Sequence, residues 1–308
     1  MKVALCLFFN YPFERNIPVL ESLYRDTFDD IVHIQPMMRS DRDNVHTVYR
    51  AAFNFGGFFS DSLAFLSELD ADYLVFSGDD CIINTALFGD NFATTFLRDN
   101  EEISAFLPQP LKFCNGNEWG SSHKINTLAR FAKGYGLYDQ RIEDWLGFLP
   151  DPNPIRNTAQ RLAVHSDKMS QPTAEQKSKM NPAQLEVLTS MMGNQSEAPM
   201  PYPLVYAISD FFIVSRKNLE LFCHNVGLLA AMNIFSEVSV PTALMSLPGP
   251  LLRASDLNLT FDWTWGRNQE VEHFVPTSIE EIGGVISDMD THTLFRHPIK
   301  LSKVNCSS

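Results

Sequence analysis

The first eighty residues alternate apolar segments with segments of helical periodicity, and this order is the strongest constraint on the fold. The segments VALCLFF, DIVHIQP and ADYLVFSGDD predict buried strands. Between them, NIPVLESLYRDTF and NFGGFFSDSLAFLSELD place apolar residues at helical spacing. Because strands linked by helices pair in parallel, the order β-α-β-α-β predicts a doubly wound α/β sheet with both faces buried.

The second half of the chain carries a weaker but similar pattern. PLVYAISDFFIVSR predicts a long strand interrupted at Asp210, and KNLELFCHNVGLLAAMNIF predicts a helix. SEVSVPTALMSL predicts another helix, capped by the hydroxyl of Ser236. LTFDWTWG predicts an aromatic strand near the end of the chain. Residues 150–203 lie between Pro-rich segments and contain few apolar residues, which predicts a helical insertion.

Composition excludes several classes of protein. The 308 residues are 44% hydrophobic, which is ample for a packed core, and the formal charge of −13 opposes nonspecific binding to nucleic acid. The five cysteines are scattered and form no CxxC pair, so neither a disulfide framework nor a zinc site is expected. The first residues predict a strand rather than a signal peptide, and no apolar stretch reaches the roughly 20 residues of a transmembrane helix. We therefore expect a cytoplasmic protein, with peripheral membrane association left open.

The sharpest functional signal is Gly78-Asp79-Asp80, which ends a buried strand. In an open α/β sheet, ligands bind outside the carboxyl ends of the strands. Adjacent carboxylates repel each other and gain by sharing a divalent cation, and Mg²⁺ or Mn²⁺ held by carboxylates and phosphate oxygens is common in nucleotide sites. The alternative is a solvated turn in which an aspartate caps a following helix. The buried strand before the pair favours the metal.

In YLVFSGDDCII, and in the order of its elements, the chain resembles the GT-A class of nucleotide-sugar glycosyltransferases, which carry an acidic DxD metal motif. The resemblance implies a GT-A-like, mostly parallel sheet flanked by helices, a Mn²⁺ or Mg²⁺ cofactor, and a nucleotide-sugar donor, with UDP expected. It implies that Asp80 contacts the metal and that Asp79 contacts the metal or the ribose of the donor. Because Gly78 holds the first position, the division of roles between the two acids stays open.

The resemblance also implies a domain organisation. We expect a single GT-A-like domain over residues 1–308. A nucleotide-sugar-binding half occupies 1–115 and the helical insertion occupies 150–203. An acceptor-binding half occupies 204–308 and ends in a segment for the metal and the diphosphate.

Five further residues become donor-site or metal-site candidates through the same resemblance. In this class the end of the first strand cradles the nucleotide base, which points to Phe9 and Asn10. A histidine near the C-terminus returns to the metal, which points to His297, and a neutral imidazole suits Mn²⁺ as an additional ligand. Arg39 and Lys300 are cations placed where they could offset a diphosphate. Strand-end packing or an ordinary exposed position is the structural alternative for each.

Sugar transfer also needs a general base and a surface for the acceptor. Glu237 lies at a predicted helix start, where the helix dipole favours an ionised carboxylate, and it is the first candidate for the base. Asp210 interrupts an apolar strand and is the second candidate, for base or for binding an acceptor hydroxyl. Trp263 and Trp265 lie two apart on one strand face, a shape that stacks on a sugar ring or equally fills a core.

The sequence therefore favours a metal-dependent hexosyl-type glycosyltransferase with a glycan acceptor, free or lipid-linked, of the bacterial surface-polysaccharide type. One alternative is a catalytically silent GT-A-like module that binds a glycan or a partner. The other is a nucleotidyltransferase, which normally carries a Gly-rich phosphate loop after its first strand. The segment FFNYPFERN contains no glycine, which counts against that alternative.

Overall fold

The computed structural model describes residues 1–97, 101–113, 146–164, 202–263 and 274–304, together with positions 178 and 182. The described strands are β1 Val3–Phe8, β2 Asp30–Pro36, β3 Val45–Val48, β4 Tyr73–Gly78, β5 Ile82–Ile83, β6 Ala105–Phe106, β7 Lys112–Phe113, β8 Val205–Tyr206, β9 Phe211–Ser215, β10 Leu251–Leu252, β11 Thr260–Trp263 and β12 Thr293–His297. The described α-helices are α1 Ile17–Tyr24, α2 Gly56–Asp61, α3 Leu63–Ser67, α4 Phe92–Phe96, α5 Pro152–Arg161, α6 Leu219–Ala231, α7 Ser236–Met245 and α8 Ile279–Ser287.

Seven strands form the main sheet in the order β10-β6-β9-β4-β1-β2-β3. Strand β9 is antiparallel to both of its neighbours, and the other six strands run in parallel. Every residue of β1 and of β4 is buried because helices cover the sheet on both faces. The expected α/β architecture, a mixed and mostly parallel sheet flanked by helices, is confirmed.

The two faces of the sheet have separate hydrophobic cores. On one face, α2, α6 and α7 pack together, and the ring of Phe59 contacts Phe8, Phe76, Phe212 and Phe222 with centroid distances of 5.0–5.8 Å. The other face buries residues of α1 and α4 together with apolar residues of β5 and β12. Side chains of each strand alternate between the cores, as the pleat of a strand requires.

The contact between the start of α2 and α7 corrects the prediction that Ser236 caps α7. Ser236 does not cap α7: it is the first residue of the helix, and its hydroxyl accepts a hydrogen bond from the backbone N–H of Gly56 at 3.2 Å. A Cβ on Gly56 would lie 2.5 Å from Oγ of Ser239. The glycine thus permits close packing of α2 on α7, so it has a structural role at the helix entry.

A second sheet, in the order β11-β12-β5, lies next to the end of β4. Strand β5 begins two residues after Asp80 and pairs antiparallel with β12, with Ile83 opposite Phe295. Strands β3 and β5 were not predicted. Among the described residues, no helix has both the length and the apolar character needed to cross a bilayer. Most of the predicted insertion at 150–203 lies outside the described residues.

Candidate functional site

Asp80 lies at the carboxyl end of β4, at the edge where the parallel strands of the sheet end. The pairing of β4 with β9 continues up to this point, because the backbone N–H of Gly78 donates to the carbonyl of Asp210 at 2.8 Å. A Cβ added to Gly78 would lie 3.0 Å from Oδ1 of Asp80. The missing side chain at position 78 therefore leaves the space that the Asp80 carboxylate borders.

Asp79 faces the end of β1. Its backbone N–H donates to the carbonyl of Phe8 at 3.0 Å, and its carboxylate accepts from Nδ2 of Asn16 at 3.5 Å. The side chain is 7% exposed. Burial, followed by the charge of Asp80, raises the pKa of Asp79 to about 8, although Asn16 and the backbone N–H of Asn10 act to lower it. Asp79 is thus a buried acid that a cation at this edge would stabilise in its ionised form.

His297 reaches the same place from the far end of the chain. It is the last residue of β12, and two residues later the N–H of Ile299 donates to the carbonyl of Asp80 at 2.9 Å. Its Nε2 lies 3.4 Å from Oδ1 of Asp80 and 4.0 Å from Oδ2 of Asp210. Burial acts to lower the pKa of His297, but the hydrogen bond to Asp80 and the nearby carboxylates outweigh it, so the pKa is raised.

Asp210 and Glu237 complete the acidic side of the site. Asp210 precedes β9, and burial raises its pKa to about 7; His297 acts to lower this pKa, whereas Asp80 and Glu237 raise it. Glu237 lies in the first turn of α7, and its carbonyl accepts a hydrogen bond from the N–H of Ala207 at 3.0 Å. This bond fixes the start of α7 beside the segment that leads to Asp210.

Trp263 closes the other side of the site. In β11 it is paired with His297, and the two rings stack at a centroid distance of 6.4 Å with an angle of 7° between their planes. The indole is also close enough to Asp210 to lower the pKa of that carboxyl. Trp265 lies outside the described residues.

The predicted donor residues differ in their burial. Phe9 is fully buried, with its ring 5.8 Å from that of His33, so its backbone rather than its ring borders the strand end. Asn10 is exposed. Arg39 and Lys300 are also exposed, and neither forms an ion pair with any residue that the structure describes.

Two site residues were missed from the sequence. Asn16 gave no signal because its position beside Asp79 depends on the turn between β1 and α1. Cys81 directly follows the aspartate pair, and its Sγ lies within 4.8 Å of ligand atoms of both Asp80 and His297. Burial, followed by the charges of neighbouring carboxylates, raises the pKa of the Cys81 thiol. Sulfur is also a soft ligand, whereas Mn²⁺ and Mg²⁺ prefer oxygen ligands.

The remaining donor set fits a divalent metal. Nε2 of His297 and Oδ1 of Asp80 are 3.4 Å apart, close enough for both atoms to face one ion. A carboxylate with an imidazole resembles a Mn²⁺ site more closely than a zinc-thiolate site. Asp80 and His297 are thus the residues that could hold an ion, and the ion would take the place of the proton that the carboxylates favour on His297.

Comparisons with known proteins add a distant structural likeness. No protein-family model matches the chain, and no curated protein matches it. The fold is similar to that of core-mannan synthase A from Aspergillus fumigatus in its Mn/GDP form. The identity is 9% and the TM-score 0.36, over 83% of this chain and 73% of that chain. A likeness this weak supports no conclusion about activity.

Proposed function

We propose that the protein is a metal-dependent glycosyltransferase that moves a sugar from a nucleoside-diphosphate donor, with UDP expected, to a carbohydrate acceptor. One observation carries the proposal. Asp80 and His297, which are 217 positions apart in the sequence, meet beside Asp210 and Trp263 at the carboxyl edge of an α/β sheet. This edge is where such sheets bind nucleotides, and the side chains are those that a metal and a sugar need.

The donor side of the site is built from β1, β4 and β12. Asp80 and His297 would hold Mn²⁺ or Mg²⁺, and the ion would neutralise the charge that develops on the leaving diphosphate. Asp79 faces the end of β1, where Asn10 and the backbone at Phe9 would contact the base and ribose. The exposed Arg39 and Lys300 are the cations that we assign to the diphosphate.

The acceptor side is built from β9, β11 and α7. We assign Glu237 as the base that takes the proton of the acceptor hydroxyl. Asp210 lies within 4.0 Å of His297 and would bind the hydroxyl between the base and the metal. Trp263 would pack against the sugar ring, and Trp265 would extend this surface. By analogy with the GT-A class, the acceptor is a bacterial surface polysaccharide, free or lipid-linked, and the enzyme is cytoplasmic.

Thermal unfolding in the presence of Mn²⁺ and a panel of nucleoside diphosphates tests the donor site. Protein that binds such a ligand at a hundred times its Kd gains about 2.7 kcal/mol, enough to raise Tm by several degrees. We expect protection by UDP with Mn²⁺ that is lost in Asp80→Ala and kept in Asp90→Ala, which removes an exposed aspartate. Absence of protection by every diphosphate and metal would contradict the proposal.

The same protein preparation separates the alternatives. Protection without release of nucleoside diphosphate from any sugar donor would identify a silent binding module. Release of pyrophosphate from a nucleoside triphosphate and a sugar phosphate would identify a nucleotidyltransferase.

A further inference from the structure

Gln109 lies at the same edge of the sheet as the site but has no part in the roles assigned so far. It follows β6, which runs parallel to β4, so the ends of both strands are on one side of the sheet. Between β6 and β4 lies β9, and Asp210 immediately precedes β9. The chain around Gln109 is therefore a neighbour of the segment that carries Asp210.

Two strand registers, continued past their last pairs, bring Gln109 to the segment of Ser209 and Asp210. Strand β6 pairs with β9 with Phe106 opposite Ile213, and three further residues along this register bring Gln109 opposite Asp210. Strand β7 pairs with β8 with Lys112 opposite Tyr206, and three residues back along that register bring Gln109 opposite Ser209. The two ladders approach from opposite directions and agree to within one residue.

The alternation of side chains places Gln109 and Asp210 on the same face. Leu107 and Phe212 belong to the core beneath α6 and α7, whereas Phe106 and Phe211 belong to the opposite core. Residues two apart along a strand share a face. Gln109 is two residues from both Leu107 and Leu111, and Asp210 is two residues from Phe212. Since these three residues share one core, we assign Gln109 and Asp210 to the side where α7 carries Glu237.

The amide of Gln109 has an unused donor. The residue is 6% exposed, and its Nε2 is buried without a hydrogen-bond partner in the part of the chain that the structure describes. An unpaired buried amide is destabilising, and such groups in proteins normally meet water or a ligand. A half-turn about the last side-chain angle exchanges its oxygen and nitrogen, so the amide can present either to a ligand in the cleft.

We propose that Gln109 is a substrate-binding residue whose carboxamide hydrogen-bonds a hydroxyl group of the sugar that occupies the cleft beside Asp210. The inference rests on the proposed function and deepens it. A phosphate is a poor ligand here because Asp210 and Glu237 are acids. A hydroxyl suits the site because it donates to a carboxylate and accepts from an amide at the same time.

Substitution by methionine tests the inference because it keeps the length of the side chain and removes the amide. In Gln109→Met, we expect the Tm of the free protein to be unchanged or higher, since no partner is lost, and protection by Mn²⁺ with UDP to be kept. Binding of methyl glycosides of mannose, glucose and galactose, measured by ligand-detected NMR with Mg²⁺ and UDP present, should weaken about tenfold or more for whichever glycoside the wild type binds.

Gln160→Met is the matched control, since Gln160 is exposed on α5, and it should change none of these readouts. A purely structural role for Gln109 predicts a lower Tm and unchanged glycoside affinity, and that pair of results would overturn the inference. So would the absence of glycoside binding in the wild type. Glycoside binding that depends on Gln109, in a protein that no diphosphate protects, would support the sugar site while refuting the proposed donor.

Discussion

At the scale of single residues, Gly78 decides how the acids of the site are arranged. It stands where a GT-A motif has its first aspartate, yet a Cβ there would lie only 3.0 Å from Oδ1 of Asp80. The other neighbours of such a Cβ, the carbonyl oxygen of Asp210 and Sγ of Cys81, are at 3.7 and 3.8 Å. Of the three described atoms nearest to such a Cβ, the one that a small side chain would displace is therefore Oδ1 of Asp80, which faces His297.

Gly78→Ala should weaken the metal site more than the fold. The Asp80 carboxylate can rotate away from the added methyl group, so we expect the affinity for Mn²⁺ to fall about tenfold while the free energy of unfolding changes by less than about 1 kcal/mol. Isothermal titration and urea unfolding measure the two quantities. The control is Gly283→Ala in α8, where an added Cβ meets nothing within 4 Å. Equal Mn²⁺ affinity in both variants would contradict the assignment of Asp80.

Asp79 gives a prediction for pH. Its pKa is about 8 in the folded protein and 3.8 when unperturbed, so the folded state binds the proton more tightly. The stability that this proton contributes is complete below about pH 4 and is lost as pH rises to about 8. Without metal, Asp79→Asn should therefore gain stability relative to the wild type as pH rises through this range.

Urea unfolding in EDTA at several pH values between 4 and 8 measures this difference. Asp90→Asn, at an exposed position, should differ from the wild type by the same amount at every pH. A constant difference for Asp79→Asn as well would mean that Asp79 is not a buried, perturbed acid.

At the scale of elements, β12 is what brings the end of the chain to the site. Phe295 is buried, and its ring stacks on Phe211 of β9 at 5.4 Å and on Phe261 of β11 at 5.6 Å. This stack joins the second sheet to the main one. Two residues later the same strand presents His297 to Asp80.

Phe295→Ala should therefore act on stability and on the metal together. Removing a buried ring costs about 3–5 kcal/mol, and the loosened strand should bind Mn²⁺ more weakly, as titration of the folded variant would show. The control is Phe274→Ala, since Phe274 is 40% exposed and should lose less than about 1 kcal/mol. A destabilised Phe295→Ala protein with wild-type Mn²⁺ affinity would show that β12 does not position the site.

The strands also show which parts of the fold could be predicted from the sequence. Continuous apolar runs predicted β1, β2 and β4, because strands buried on both faces carry that signal. Asp210 interrupted such a run, and β9 begins at the next residue, Phe211. Strand β3 was missed because a short edge strand carries polar residues. Asn16 was missed because its position depends on the turn before α1, and Gln109 because its neighbours come from other strands; no local pattern encodes either.

At the scale of the molecule, the site is assembled from parts of the chain that are distant in sequence. Residues near positions 80, 210, 237, 263 and 297 meet at one edge of the sheet, with acids on one side and an indole on the other. A protein with a formal charge of −13 can bind an anionic diphosphate here only if local cations offset these acids. Binding of a metal ion is therefore necessary for the proposed activity.

A screen of nucleotide-sugar donors, read as release of nucleoside diphosphate with and without Mn²⁺, tests this claim most directly. We expect at least one donor, with a UDP-sugar the first choice, to be turned over only with metal, and Asp80→Ala to reduce the rate to background. Glu237→Gln should lower the rate about 10²-fold or more while keeping donor binding. Metal-independent release, or release that Asp80→Ala leaves intact, would contradict the account.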